Sequence, residues 1–255
     1  MKQLLLIACY LLTLAAQAQF EQTQSIALAD SVVMVSIENA DFDNDGLLDV
    51  ILFHTNASSE KFIQFIKGDT VNTLELFLGA IAIDSFSSYS IIDYDADNDM
   101  DILTFGSTSY VYRNAGDFSF GKEQVDLPAF TISKWVDLDN DGRREIIGSF
   151  SSSGNEITHM YTKLPSGDWQ VVGDVLELGL TSIEILDFDY NGNLDLFISC
   201  AHSSDSLFTG FLKNVNGFLF IPELAKDWIG TTSSGDLNGD GVFDLVFFGK
   251  DKLAN

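Results

Sequence analysis

Apolar and polar positions alternate along this chain with a period of two, in short runs set on either side of five acidic loops. Val50-Ile-Leu-Phe53, Ile102-Leu-Thr-Phe105, Ile146-Ile-Gly-Ser149, Leu196-Phe-Ile-Ser199 and Leu245-Val-Phe-Phe248 each follow a loop directly. They are short, rich in β-branched and aromatic residues, and bounded by Gly, Ser or polar residues, the pattern of buried strands. Upstream, Val32 to Ile37, Tyr89 to Ile92, Thr131 to Val136 and Ile183 to Leu186 predict strands that enter the loops, and Thr231 to Ser234 is a weaker fifth. Further on lies a second hairpin signal, a strand running into a Gly turn, at Phe62 to Gly68, Tyr110 to Gly116, Met160 to Gly167 and Phe211 to Gly217. Each unit therefore predicts two hairpins, or four strands: A, acidic loop, B, connector, C, Gly turn, D. No segment beyond the N-terminal stretch sustains a 3.6-residue apolar period, which excludes helical solenoids.

The loops are nonapeptides of the form Asp-x-Asp/Asn-x-Asp/Asn-Gly-x-x-Asp. They begin at Asp41, Asp93, Asp137, Asp187 and Asp236, spaced 52, 44, 50 and 49 residues apart. Four-stranded units repeating at about 50 residues are the blades of a β-propeller. The expected fold is all-β, with about five blades, near 29–80, 81–127, 128–178, 179–226 and an incomplete 227–255. Phe20 to Leu28 resembles a strand D ahead of the first strand A. The first expectation is a chain truncated from a seven-bladed ring, and the second is a five-bladed ring with a degenerate last blade.

The ligand chemistry of each loop follows from its spacing. Positions 1, 3 and 5 offer side-chain oxygens: Asp41, Asp43 and Asp45; Asp93, Asp95 and Asp97; Asp137, Asp139 and Asp141; Asp187, Asp189 and Asn191; Asp236, Asn238 and Asp240. Position 7 offers a backbone carbonyl, at Leu47, Asp99, Arg143, Asn193 and Val242, and position 9 a closing carboxylate, at Asp49, Asp101, Glu145, Asp195 and Asp244. Six or seven oxygens suit Ca²⁺ better than the stricter octahedron of Mg²⁺, so up to five Ca²⁺ are expected. Position 6 must turn the chain sharply and is Gly in four loops; the second has Asn98, the side chain that best tolerates positive φ after Gly. Position 2 is always large and apolar (Phe42, Tyr94, Leu138, Phe188, Leu237), which predicts an anchor in the core. An EF-hand is excluded, because strands rather than helices flank these loops and a Glu at position 12 is lacking. The second loop, with Asp99 close by, and the first are expected to bind most tightly; the third, with Arg143 and Arg144, most weakly.

Charge and composition then fall into place. The formal net charge is −25, but the loops hold 19 of the 38 acidic residues, so half of the acidic side chains belong to a ligand set. Nucleic acid and anionic membrane are not expected partners, because phosphate binding needs a basic face. Lys2, the apolar run from Leu4 to Ala15 and Ala16-Gln17-Ala18 form a secretory signal, leaving residues 19–255 as the exported chain. A lipoprotein signal acylated at Cys9 is the less favoured alternative. No later run is long enough for a membrane-spanning helix. With the signal removed, Cys200 is the single cysteine, so no internal disulfide forms and bound metal becomes the expected source of rigidity.

The loops together with the two-hairpin unit resemble the FG-GAP/VCBS repeats of integrin-α-type propellers from Phe20 onward, although the Phe-Gly…Gly-Ala-Pro portion is poorly represented. The resemblance implies a calcium-stabilised propeller of the kind found in secreted or cell-surface adhesion proteins.

Catalytic signals are sparse. His54, His159 and His202 form no metal-binding pair, and neither a Gly-x-Ser-x-Gly elbow nor a phosphate-cradling Gly loop is present. No catalytic residue is singled out. Among the tryptophans, Trp135 and Trp228 read as blade packing and Trp169 as the exposed aromatic best placed to stack on a sugar. The expected role is a non-catalytic binding or adhesion scaffold for a protein or glycan, at the cell surface, in the periplasm or outside the cell. The alternatives are the propeller portion of a larger secreted carbohydrate-active enzyme, such as a polysaccharide lyase, and a purely structural spacer.

Overall fold

A computed structural model of the chain describes residues 33–68, 74–176, 179–201, 207–215, 220–226 and 228–251. The expected secretory signal, the strand expected at Phe20 to Leu28 and His202 lie outside these residues. The described chain is all-β, and no helix occurs in it. It has four four-stranded antiparallel sheets and one hairpin, the blade topology of a β-propeller, and in each sheet strand order follows the chain.

Two compact units divide the chain, Met1–Ala40 with Gly46–Ile83, and Asp41–Asp45 with Asp84–Asn255. The first contains the sheet β1 (Val33–Ala40), β2 (Asp49–Thr55), β3 (Lys61–Gly68) and β4 (Leu74–Ile83). Ile51, Phe53, Ile63 and Phe65 make its buried layer, and Val33, Val35 and Ile37 on β1 are exposed.

The second unit contains three complete sheets. They are β5 (Ser88–Ile92) to β8 (Phe120–Val125) through β6 (Asp101–Phe105) and β7 (Ser109–Asn114); β9 (Ile132–Val136) to β12 (Trp169–Leu176) through β10 (Glu145–Ser152) and β11 (Asn155–Lys163); and β13 (Gly179–Leu186) to β16 (Phe220–Lys226) through β14 (Asp195–Ala201) and β15 (Leu207–Asn214). The hairpin β17 (Trp228–Gly235) and β18 (Asp244–Asp251) follows. The weak strand expected at Thr231 to Ser234 is thus the centre of a full eight-residue strand.

Successive sheets of this unit pack face to face around separate cores. Leu103, Phe105 and Val111 of β5–β8 meet Phe130, Ile146 and Tyr161. Val136, Leu138, Ile147 and Met160 meet Leu180, Ile183, Leu196, Ile198 and Leu212. A smaller cluster of Leu186, Phe197 and Phe211 receives Leu245 from the hairpin. Polar latches cross the same junctions. Ser149 Oγ accepts the Leu180 N–H at 2.9 Å, and Ser199 Oγ, four residues after its own loop like Ser149, accepts the Gly230 N–H at 3.1 Å. Both serines are fully buried, so these bonds satisfy groups that water cannot reach.

Candidate metal centres and an adjoining cavity

The acidic loops connect the first two strands of each sheet and share one backbone form. Position 6 has positive φ in all five, at Gly46, Asn98 (φ 72°), Gly142, Gly192 and Gly241, as expected. Position 4 also has positive φ in all five, at Asn44, Ala96, Asn140, Tyr190 and Gly239, which the sequence reading did not anticipate. Two left-handed residues flanking position 5 curl the loop so that its side-chain oxygens turn inward. Ala96 (φ 63°) and Tyr190 (φ 56°) adopt this conformation against their steric preference.

Each carboxylate has a defined place. The position 1 carboxylate accepts the N–H groups of positions 5 and 6: Asp93 from Asp97 and Asn98, both at 3.1 Å, Asp137 from Asp141 and Gly142, Asp187 from Asn191 and Gly192, and Asp236 from Asp240 and Gly241. The position 5 oxygen accepts the N–H of position 7, at Asp99, Arg143, Asn193 and Val242.

Position 9 is more than a ligand. Asp49, Asp101 and Asp195 are fully buried, and Glu145 is nearly so. Asp101 accepts the Tyr94 N–H at 2.9 Å and the Asn114 N–H at 2.8 Å, and Asp195 accepts those of Phe188 and Asn214 at 2.9 and 2.7 Å. Glu145 takes the Leu138 N–H at 3.0 Å and the Thr162 hydroxyl at 3.2 Å, and Asp49 takes the Gly68 N–H at 2.9 Å. Position 9 thus ties the loop to the end of the third strand of its own sheet.

Four loops gather three acidic side chains with oxygens within 4.8 Å of one another: Asp41, Asp43 and Asp45; Asp93, Asp95 and Asp101; Asp137, Asp139 and Glu145; and Asp187, Asp189 and Asp195. These groups can hold a metal ion. In the second, third and fourth loops the acidic set uses positions 1, 3 and 9; Asp97 and Asp141 at position 5 stand outside it, and the fourth loop has the amide of Asn191 there. In the fifth loop Asn238 brings an amide to position 3, so Asp236, Asp240 and Asp244 form no such group among the described residues.

Electrostatics favour a cation. Burial pushes the Asp101 and Glu145 carboxyls above their usual range, and neighbouring carboxylates add to the rise, Asp95 and Asp97 at the one, Asp139 and Asp141 at the other. A bound cation relieves that repulsion. Asp189 Oδ1 is buried and accepts no hydrogen bond, while its other oxygen pairs with Lys213, whose hydrogen bond lowers the Asp189 pKa. In the third loop Arg143 binds Asp141 through Nε at 2.9 Å and holds that carboxyl below its ordinary value. Asp99 uses its carboxylate on Asn44, and Asn140 donates to Asn193 at 3.4 Å, so position 4 of one loop meets position 7 of the next.

The position 2 anchors differ from expectation. Phe42 and Leu138 are fully buried, and Tyr94 is half-buried. Phe188 is 39 % exposed and stacked on Phe211, and Leu237 is 69 % exposed. Anchoring depends on what packs over the ring, which the nonapeptide alone does not specify.

The backbone carbonyl of position 2 shows a second repeated device. Asn114, the last residue of β7, donates through Nδ2 to Phe42 O at 2.6 Å. Asn214, the last of β15, donates to Leu138 O at 2.9 Å and Leu194 O at 3.1 Å. Both asparagines are buried. The shared signal, Arg or Lys followed by Asn two residues beyond the residue paired to the start of the second strand, was present in the sequence but went unread. The strand register places Lys163 at this position of the third sheet, since Ile146 pairs with Tyr161 as Leu196 pairs with Leu212.

Lys163 does not cap a carbonyl; its ammonium lies 3.6 Å from the centroid of the Tyr94 ring. Around it opens a cavity of about 740 Å³, whose lining includes Tyr94, Trp135, Trp169, Arg113, Arg144 and Lys163. Trp169, expected as an exposed aromatic, is half-buried and packs edge-on against Trp135 at 5.6 Å, and Trp135 faces this cavity rather than sitting wholly within a core. Burial raises the Tyr94 pKa, against the Trp169 N–H and the Arg113 charge.

The two described histidines, His54 and His159, join no acidic or metal-holding group. His54 stacks on Phe62 and His159 packs against Phe150 and Tyr161, and burial lowers both pKa values. The Cys200 side chain is fully buried, and burial pushes its thiol up to about 11. No described helix is long and apolar enough to cross a membrane. Comparison with protein-family models and with curated proteins finds no match to this chain.

Proposed function

We propose that the chain is an exported, calcium-stabilised β-propeller of the FG-GAP/VCBS type that serves as a non-catalytic binding scaffold for a protein or glycan. The observation that carries this reading is the repetition of one acidic cluster at the same turn of successive sheets, with the position 9 carboxylate buried beneath it. Oxygen-only donors, several of them carboxylates, match Ca²⁺ in hardness and number. Asp41, Asp43 and Asp45, and positions 1, 3 and 9 of the next three loops, would hold the ions; an ion there supplies positive charge that locks loop to strand. The dispersal of the sites over separate loops favours a structural role over a single reacting centre.

Ions that bind only the folded state add RT ln(1 + [L]/Kd) each, and at extracellular affinities millimolar calcium contributes about 0.4 to 1.4 kcal/mol per site. Thermal melts with calcium and with a chelator test this. The expected result is a lower melting temperature in chelator, restored by calcium and less well by magnesium. A melting temperature indifferent to both would remove the metal reading. An array of glycans and proteins, probed in calcium, tests the scaffold reading.

The enzyme reading has one specific support, the placing of Tyr94 and Lys163 beside Asp93 and Asp95 in a cavity. The raised pKa of Tyr94 opposes its use as a base near neutral pH. Release of unsaturated ends from an acidic polysaccharide would favour a lyase over the scaffold.

A further inference from the structure

The cavity between the second loop and the β9–β12 sheet concentrates residue types that the rest of the chain scarcely uses. In a sequence with net charge −25, all three arginines (Arg113, Arg143 and Arg144) and two of the three tryptophans line it. Lys163 and Tyr94 join them. Its volume, about 740 Å³, falls in the range of sites that take small organic ligands.

The rings make a corner rather than a stack. Trp135 stands at 74° to Trp169 and at 78° to Tyr94, and all three rings line the cavity. Trp135 Nε1 is buried and donates to no acceptor, an unmet demand that an oxygen-rich ligand satisfies. The cations are not equal. Arg113 is already held by Asp95 at 3.2 Å and Glu123 at 3.0 Å, and Arg143 by Asp141. Arg144 and Lys163 have no ion-pair partner among the described residues. Two cations without an ion-pair partner, Lys163 resting on the Tyr94 ring, stand beside acceptors (Asp93 and Asp95) and aromatic side chains and ask for a ligand with three properties. It needs a flat apolar face, hydroxyl donors at its rim and one negative charge.

We propose that this cavity binds an acidic sugar residue, a pyranose bearing a carboxylate or sulfate, whose ring stacks in the Tyr94–Trp135–Trp169 corner and whose anion is met by Arg144 and Lys163. The proposal rests on the binding-scaffold reading and names its ligand class. Trp135 Nε1 donates to a ring or hydroxyl oxygen, and Asp93 or Asp95 accepts from sugar hydroxyls. The charge is recognised by an ammonium and a guanidinium, whose hydrogen bonds to an anion are stronger than neutral ones.

The test titrates the full-length chain, in calcium-containing buffer, with trigalacturonate, with a sulfated galactose trisaccharide and with neutral galactotriose, following tryptophan fluorescence and calorimetric heat. Binding of one or both acidic probes is expected, with neutral galactotriose weaker by roughly tenfold or more. Which acidic probe binds better identifies the anion. An Arg144→Gln/Lys163→Gln double variant, changed at positions outside the cores, is expected to lose roughly tenfold in acidic-probe affinity while keeping its melting temperature. Trp169→Ala is expected to weaken all three probes and to abolish most of the fluorescence change. Equal affinity for acidic and neutral probes overturns the charge assignment. Acidic-probe binding unchanged in both variants overturns this site while leaving the scaffold reading standing. No binding of any probe by a folded wild-type chain overturns the sugar proposal, and a protein partner found on an array would then keep the scaffold reading alone.

Discussion

Two junctions of the second unit are built on one plan and end differently. Where the β9–β12 sheet meets the β13–β16 sheet, Asn214 reaches across to the Leu138 carbonyl, Ser149 takes the Leu180 N–H, and aliphatic side chains fill the space. Where the β5–β8 sheet meets the β9–β12 sheet, Lys163 stands in the register position of Asn214, the contacts are aromatic, and a cavity opens beside the loop. The same strands and the same acidic turn therefore support a sealed joint and a pocket. The difference lies in the side chains at a few equivalent positions, so one repeat can open a cavity where the next fills its core.

The strongest way to break the comparison is at the sealed joint. Asn214→Ala removes the amide that serves two carbonyls, and an unsatisfied buried polar group costs about 1 to 3 kcal/mol. Lys163→Ala, at the equivalent place in the open joint, leaves no buried carbonyl unpaired and is expected to cost less, about 0.5 to 1 kcal/mol for the lost contact of its ammonium with the Tyr94 ring. Urea unfolding of the two variants measures the contrast; equal losses would mean that the two joints do not differ in this way.

The aromatic joint has its own weak point. A Cβ added to Gly148 would lie 2.3 Å from Phe130 Cδ1, so Gly148→Ala forces that ring to move. Overpacking of this kind costs about 1 to 3 kcal/mol. The loss should appear in the melting temperature, with smaller effect at the Ser149 latch, which can be followed by amide exchange of Leu180.

Alkaline pH should separate the joints by order. Burial raises the Cys200 thiol, in the sealed joint, from 9.0 to about 11. It raises the Tyr161 hydroxyl, in the aromatic joint, from 10.0 to about 12. Each folded-state value lies above its unfolded one, so the folded state holds the proton more tightly. The associated stability is complete below the unfolded value and is lost as pH rises toward the folded one. Thiol ionisation, followed by ultraviolet absorbance in wild type and in Cys200→Ala, should thus precede ionisation of Tyr161. A Cys200 thiol that reacts with an alkylating reagent in the native protein near pH 8 would contradict the sealed core.

The smallest effect concerns the loops themselves. Tyr190 occupies the left-handed region at position 4, where Asn44 and Asn140 stand in other loops. Tyr190→Asn is expected to raise stability by about 0.5 to 1 kcal/mol, since the left-handed backbone costs an ordinary side chain about 1 to 2 kcal/mol. A loss on substitution would show that the Tyr190 ring contributes more than its backbone strain removes.

Much of this protein is local in origin and therefore legible in its residues. Alternating apolar runs determined the strands, the recurrence of the nonapeptide determined the sheet repeat, and Asn98 could be matched to Gly because positive φ is a property of one residue. The gathering of positions 1 and 3 into acidic groups likewise follows from a span of a few residues. Other features were decided only in three dimensions. Position 9 is buried in the first four loops, where the third strand of the sheet covers it and in three of them donates an N–H to it, and only half-buried at Asp244, whose hairpin has no described third strand. Phe42 is buried and Leu237 exposed although both hold position 2, because burial depends on the neighbouring surface. The cavity depends on Tyr94, Arg113, Trp135, Arg144, Lys163 and Trp169 meeting from two sheets. Periodicity records which way a side chain faces, whereas a binding site records which side chains from separate strands come together, and that meeting is settled by packing.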